Sequence, residues 1–144
     1  MFNTVNGHAA ASVNTTGSNN TANGAWALNA NTNGSNNTAL GYQSLFRNVS
    51  GWSNVAIGTR ALYSNRVSNN LVAIGDSALY NNIGFDNTNL AIGNTALGSK
   101  VLYPNINGYS NTGTGIQALY SNQYSSHNTA DGAYSLFSNT GTQN

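Results

Sequence analysis

Apolar residues along this chain come in short bursts, separated by runs of Asn, Ser, Thr and Gly. One kind of burst alternates large and small and ends in glycine, as in Val55-Ala56-Ile57-Gly58 and Val72-Ala73-Ile74-Gly75. That alternation predicts a strand with two unlike faces. Val55 and Ile57 are expected to fill a thin core, leaving Ala56 and Gly58 on a flat opposite face that another backbone can approach closely. The second kind runs Ala or Ser, Leu, aromatic, as in Ala61-Leu62-Tyr63 and Ala78-Leu79-Tyr80, and predicts a second strand. The Gly-, Asn- and Ser-rich remainder predicts turns, because Gly and Asn tolerate left-handed backbone angles. No stretch keeps a helix-forming composition.

The bursts recur on a glycine that returns every 17 residues at Gly7, Gly24, Gly41, Gly58 and Gly75. The next in line are Gly93, Gly115 and Gly132, with the longest coil read as carrying extra residues around Lys100 to Asn107. A short fixed period over the whole length marks a repeat architecture. The prediction is one domain over residues 1–144: an all-β parallel β-solenoid of eight coils of about 17 residues.

Columns emerge when the coils are stacked. Ala22, Ala39, Ala56, Ala73, Ala91 and Ala130, with Gly41, Gly58 and Gly75, form the small-residue face. Asn14, Asn31, Asn48, Asn65, Asn82, Asn122 and Asn139 form a column broken by Lys100, and stacked Asn amides can hydrogen-bond along it as in cross-β ladders. The residue before the glycine reads Asn6, Asn23, Leu40, Ile57, Ile74, Ile92, Thr114, Asp131, apolar in the middle and polar outside, a mild form of capping. Coils this short enclose about one layer of Leu and Ile, so a single roll buries little surface. The small-residue face is therefore expected to line the inside of a homotrimer. The last coil finishes on a repeat boundary, which suits head-to-tail stacking into a filament.

The residues then carry a resemblance. Val55-Ala56-Ile57-Gly58, Val72-Ala73-Ile74-Gly75 and Leu90-Ala91-Ile92-Gly93 resemble the repeat of the YadA-like head domain of trimeric autotransporter adhesins. Asn36-Asn37-Thr38-Ala39-Leu40-Gly41-Tyr42-Gln43-Ser44-Leu45 is similar to the Asn-rich version in tail-fibre-like proteins of Bacteroidetes and phages, which often carry an endosialidase-type chaperone domain. The resemblance implies a left-handed parallel β-roll, trimerisation and an adhesive or structural role outside the cell. The family's head repeats are usually shorter, so the turn here is longer, and the sequence holds no coiled-coil stalk, membrane anchor or chaperone domain. The expected location is extracellular, at a cell surface or on a virion, although no signal peptide is visible at Met1 to Asn6.

Composition narrows the function. Only 5% of residues are charged, Glu is absent and net charge is +1, so there is no basic field for nucleic acid. Asn is the commonest residue, at 28. Cysteine is absent, which excludes disulfides and thiolate metal sites. No apolar stretch suggests membrane insertion. His8 and His127 lie on distant coils and cannot share a metal, and Asp76, Asp86 and Asp131 fall on different coils. His127 and Asp131 amid many serines are read as turn residues, not as a triad. No catalytic residue, metal or cofactor is expected. Trp52, Phe85, Tyr103 and Tyr109 are candidate turn aromatics, for lateral contacts between chains or for stacking on a glycan receptor. The Asn-x-Ser/Thr sequons, such as Asn14, Asn36 and Asn48, carry little information in so Asn-rich a chain.

The leading expectation is therefore a structural fibre protein that assembles with itself; the rival is an adhesin head. An ice-binding face is a third reading, weakened by a column that runs Thr4, Thr21, Thr38 and then Val55 and Val72.

Overall fold

The computed structural model describes residues 2–84 and 91–141. It is an all-β solenoid with no helix among the described residues. Eight three-residue strands form one parallel sheet in chain order: β1 (Thr4–Asn6), β2 (Thr21–Asn23), β3 (Thr38–Leu40), β4 (Val55–Ile57), β5 (Val72–Ile74), β6 (Thr95–Leu97), β7 (Thr112–Thr114) and β8 (Thr129–Asp131).

The register corrects the sixth coil. Val72 pairs with Thr95 and Ala73 with Ala96, so Gly98, not Gly93, continues the glycine column. The extra residues lie before β6, between Asn82 and Asn105, which are 23 apart where neighbouring coils are 17 apart. The coil from Lys100 to Asn107 is of ordinary length. Gly93 sits instead at a turn position, with φ of 66°, where other coils place Asn36, Asn70, Ser110 and His127 at 54–61°.

Glycine ends each strand for a steric reason. Gly58 has φ of 124°, and a Cβ there would lie 2.6 Å from the carbonyl oxygen of Gly75 in the next coil. The column is thus a line of close backbone approaches within one chain, which any side chain would wedge open.

The Ala-Leu-aromatic segment is not the second strand that its pattern predicts. Ala61 N–H donates to the Gly58 carbonyl at 3.3 Å and Asn65 N–H to Leu62 at 3.2 Å, closing two successive turns. Arg60 and Leu62 take left-handed φ of 56° and 53°. The same leucine position is left-handed from Leu28 to Leu136, at 47–53°. Each such residue costs about 1–2 kcal/mol. Burial of the leucine, about 1.5–3 kcal/mol, offsets it. Inter-coil bonds such as Leu62 N–H to the Ala78 carbonyl, 3.0 Å, add to the balance.

The interior has an apolar half and a polar half. In the apolar half the alanines of the strands face the leucine column: Ala22, Ala39, Ala56, Ala73 and Ala96 are fully buried, as are Leu28, Leu45, Leu62, Leu79, Leu102 and Leu119. The coil is so thin that two large side chains would not fit across it. One place trades volume between columns. Val101 replaces the usual Ala or Ser, and the next coil carries Gly113 where every other coil but the first, with Val5, has Ala; a Cβ on Gly113 would lie 2.5 Å from Val101 Cγ1.

The polar half is two asparagine columns. In the first, Asn48 Nδ2 donates to Asn31 Oδ1 at 2.8 Å and to the Gly51 carbonyl at 3.0 Å, while Asn65 Nδ2 donates to Asn48 Oδ1 at 3.0 Å. In the second, Asn37 Oδ1 accepts from the Asn54 N–H at 3.1 Å, and Asn37 Nδ2 donates to the same Gly51 carbonyl at 2.8 Å. One turn carbonyl per coil thus receives two amides. Most of the buried amide atoms are bonded in this way, as burial requires; among the described residues, Asn65 Oδ1 and Asn105 Oδ1 are the two in these columns without a partner. Leu71 interrupts the second column, fully buried.

Outside the leucines runs a ladder of rings, Phe46, Tyr63, Tyr80, Tyr103, Tyr120 and Phe137. Successive centroids are 5.0–5.7 Å apart, with planes within 4–13° of parallel.

Candidate functional site

The strands determine what the outside of the sheet presents. With alanine pointing in, its two neighbours point out, so the sheet carries two outward side chains per coil. Val55 and Ile57, expected in the core, are on the surface side, and the small-residue face is inside. Ala22, Ala39, Ala56 and Ala73 are fully buried by their own chain, and Ala130 nearly so. Gly41, Gly58 and Gly75 meet the next coil's backbone. Ala91 is not in that column at all; it lies in a turn, and its carbonyl accepts from Asn82 and Asn94. The alanines are therefore closed to a contact between chains. The alternation alone showed that the faces differ, and the narrowness of the coil decides which is inside.

The outward face is graded. One row reads Thr4, Thr21, Thr38, Val55, Val72, Thr95, Thr112, Thr129, all β-branched. The other reads Asn6, Asn23, Leu40, Ile57, Ile74, Leu97, Thr114, Asp131, with Leu97 where Ile92 was expected. Polar pairs at both ends flank an apolar strip made by Leu40, Val55, Ile57, Val72, Ile74 and Leu97. Ile74 and Leu97 are 38% and 37% exposed. Tyr42 and Ile116, both exposed, stand one residue beyond the glycine column on the same flank. At the polar end the Thr114 hydroxyl donates to the Asp131 carboxylate.

The remaining sequence-derived candidates separate. The asparagine column exists, with Asn105 in the place once given to Lys100: Asn105 Nδ2 donates to Asn82 Oδ1 at 2.8 Å. Asn14, Asn31, Asn48, Asn65, Asn82, Asn122 and Asn139 all belong to it. Asn48, fully buried, is closed to glycosylation in the folded chain. Trp52 and Tyr109 share a turn column with Ser18, Ser35, Asn69, Ile92 and Ser126, and are 47% and 40% exposed. Tyr103 is no turn aromatic; its two faces are covered by Tyr80 and Tyr120. Phe85 lies outside the described residues.

His8 packs against Trp26, and the His127 ring meets Tyr109 edge-on at 4.9 Å. Among the described residues no group of three His, Cys, Asp or Glu could hold a metal, and no helix is long and apolar enough to cross a membrane. A hollow lined by Ser121, Gln123, Tyr124, Asn139 and Thr140 pairs no nucleophile with a base. The most distinctive surface is thus the apolar strip of the sheet. Family models, curated proteins and solved structures contain no match to this chain.

Proposed function

We propose that this chain is a non-enzymatic structural protein that associates with copies of itself through the outer face of its sheet, as a homotrimeric segment of an extracellular fibre or adhesin. The observation that carries the reading is the apolar strip from Leu40 to Leu97, left uncovered by the chain's own fold and bordered by polar pairs. Uncovered apolar strips rimmed by polar residues mark association sites. The strip is only two side chains wide. A single flat pairing would fall short of the ~800 Å² per partner of a stable interface. Three strips meeting at one axis give each chain two neighbours. The resemblance of the repeat to trimeric adhesin heads agrees with this arrangement, and end-to-end stacking of such segments would give a filament.

The test is the mass of the purified native protein by size-exclusion chromatography with light scattering, repeated on Ile57→Asp and Ile74→Asp. Three-chain mass for the native protein, and single chains with an unchanged far-UV spectrum for the variants, is the expected result. A monomeric native protein would sink the reading.

A second reading, glycan recognition, rests on Trp52 and Tyr109, exposed on one column. Replacing both with Ala abolishes glycan binding and spares the oligomer if it holds; loss of assembly assigns them to packing instead.

A further inference from the structure

Cysteine is absent, so no disulfide can tie one coil to the next. The ring ladder offers a different covalent tie. Four of its six members are tyrosines on consecutive coils, with Tyr63–Tyr80, Tyr80–Tyr103 and Tyr103–Tyr120 centroids at 5.0, 5.1 and 5.7 Å. Their planes lie 7–13° from parallel. All four residues are half-buried. Among the described residues none of their hydroxyls is a buried, unbonded polar atom and none has a bonding partner, so the phenol oxygens reach solvent.

We infer that Tyr63, Tyr80, Tyr103 and Tyr120 are a site of oxidative cross-linking between coils, acted on by a one-electron oxidant of the peroxidase class with hydrogen peroxide as electron acceptor. Each of two adjacent phenols gives up one electron and one proton, leaving two neutral tyrosyl radicals. A carbon–carbon bond then forms between ring carbons ortho to the oxygens, the two displaced ring protons return to the oxygens, and a dityrosine results. In total two tyrosines lose two electrons and two protons, and one hydrogen peroxide is reduced to two waters.

Three features favour this site over the chain's other tyrosines. The solvent-facing oxygens let an oxidant reach the phenol without entering the core. The next ring is already in place, so coupling is a neighbour reaction with high effective concentration. The backbone holds neighbouring coils about 4.8 Å apart, so the rings need only open like pages about one edge. Tyr42, Tyr109, Tyr124 and Tyr134 are in no tyrosine stack; Tyr42 packs on Trp26, Tyr109 on His127 and Tyr134 on Phe137.

The experiment treats the native protein with peroxidase and hydrogen peroxide, reads dityrosine fluorescence and maps the linked peptides by mass spectrometry. Expected are links within one chain between Tyr63 and Tyr80, Tyr80 and Tyr103, or Tyr103 and Tyr120. Tyr80→Phe keeps the ring but leaves Tyr103–Tyr120 as the sole stacked tyrosine pair, so the yield falls about threefold. Tyr124→Phe leaves the yield unchanged. The inference is overturned if no dityrosine forms, if the links map to Tyr42, Tyr109, Tyr124 or Tyr134, or if Tyr80→Phe has no effect.

Discussion

Val101 and Gly113 should behave as one unit. Gly113→Ala places a methyl carbon 2.5 Å from Val101 Cγ1, far inside the ~3.5–4.0 Å optimum for two carbons. The valine cannot swing away, because a β-branched side chain is stiff at χ1. Overpacking of this kind costs about 1–3 kcal/mol. Val101→Ala alone removes two fully buried methyl groups and leaves a void, at about 1.5–3 kcal/mol. Together the two changes recreate the pair Ala61 and Ala73, both fully buried in their own coils. The double variant should therefore return to within about 1 kcal/mol of the native chain, a coupling at the upper end of the usual ~0.5–3 kcal/mol. Urea unfolding followed by far-UV circular dichroism measures all three variants. If the double variant loses the sum of the single losses, the two side chains do not share one space and the reasoning is wrong.

Gly58→Ala should be among the most damaging single changes, since φ of 124° and a carbonyl 2.6 Å away both exclude the methyl; we expect loss of at least about 3 kcal/mol or failure to fold, and a native-like melt would refute the backbone account. Asn48→Ala leaves Asn31 Oδ1 buried without its donor and should cost about 2–4 kcal/mol, whereas Asn23→Ala, on the exposed face, should stay within about 0.5 kcal/mol by the same denaturation assay. Tyr80→Ala removes two ring contacts and should cost about 3–5 kcal/mol in thermal or urea unfolding, while Tyr80→Phe keeps the stack and most of the stability.

Much of this architecture was legible because the physics of a parallel stack leaves a mark in every coil. A glycine demanded by close backbone approach recurs at every strand end, and asparagines that bond up and down must recur at the same place. The sixth coil misled for an equally physical reason. Ala91-Ile92-Gly93 imitates Ala73-Ile74-Gly75, yet its glycine serves a left-handed turn that Asn, Ser or His fills elsewhere. The deciding run was Asn94-Thr95-Ala96-Leu97-Gly98, identical to Asn37-Thr38-Ala39-Leu40-Gly41, together with Asn105 completing the buried column. The faces of the strand were not legible from hydropathy. Large apolar residues normally mark the inside, but here the leucines from the opposite wall already fill the coil, so only alanine fits against them. The second strand failed likewise, because a helical or extended propensity scale does not anticipate seven leucines held at positive φ.

The lengthened coil has a consequence for how such a protein changes over time. Across the six added positions the asparagine ladder still closes, at 2.8 Å from Asn105 to Asn82, and the rings of Tyr80 and Tyr103 still stack at 5.1 Å. Between Asn82 and Ala91 the chain therefore takes on extra length while the columns on either side keep their register. Lineages can change the number of residues there without renegotiating the asparagine and ring columns of the interior.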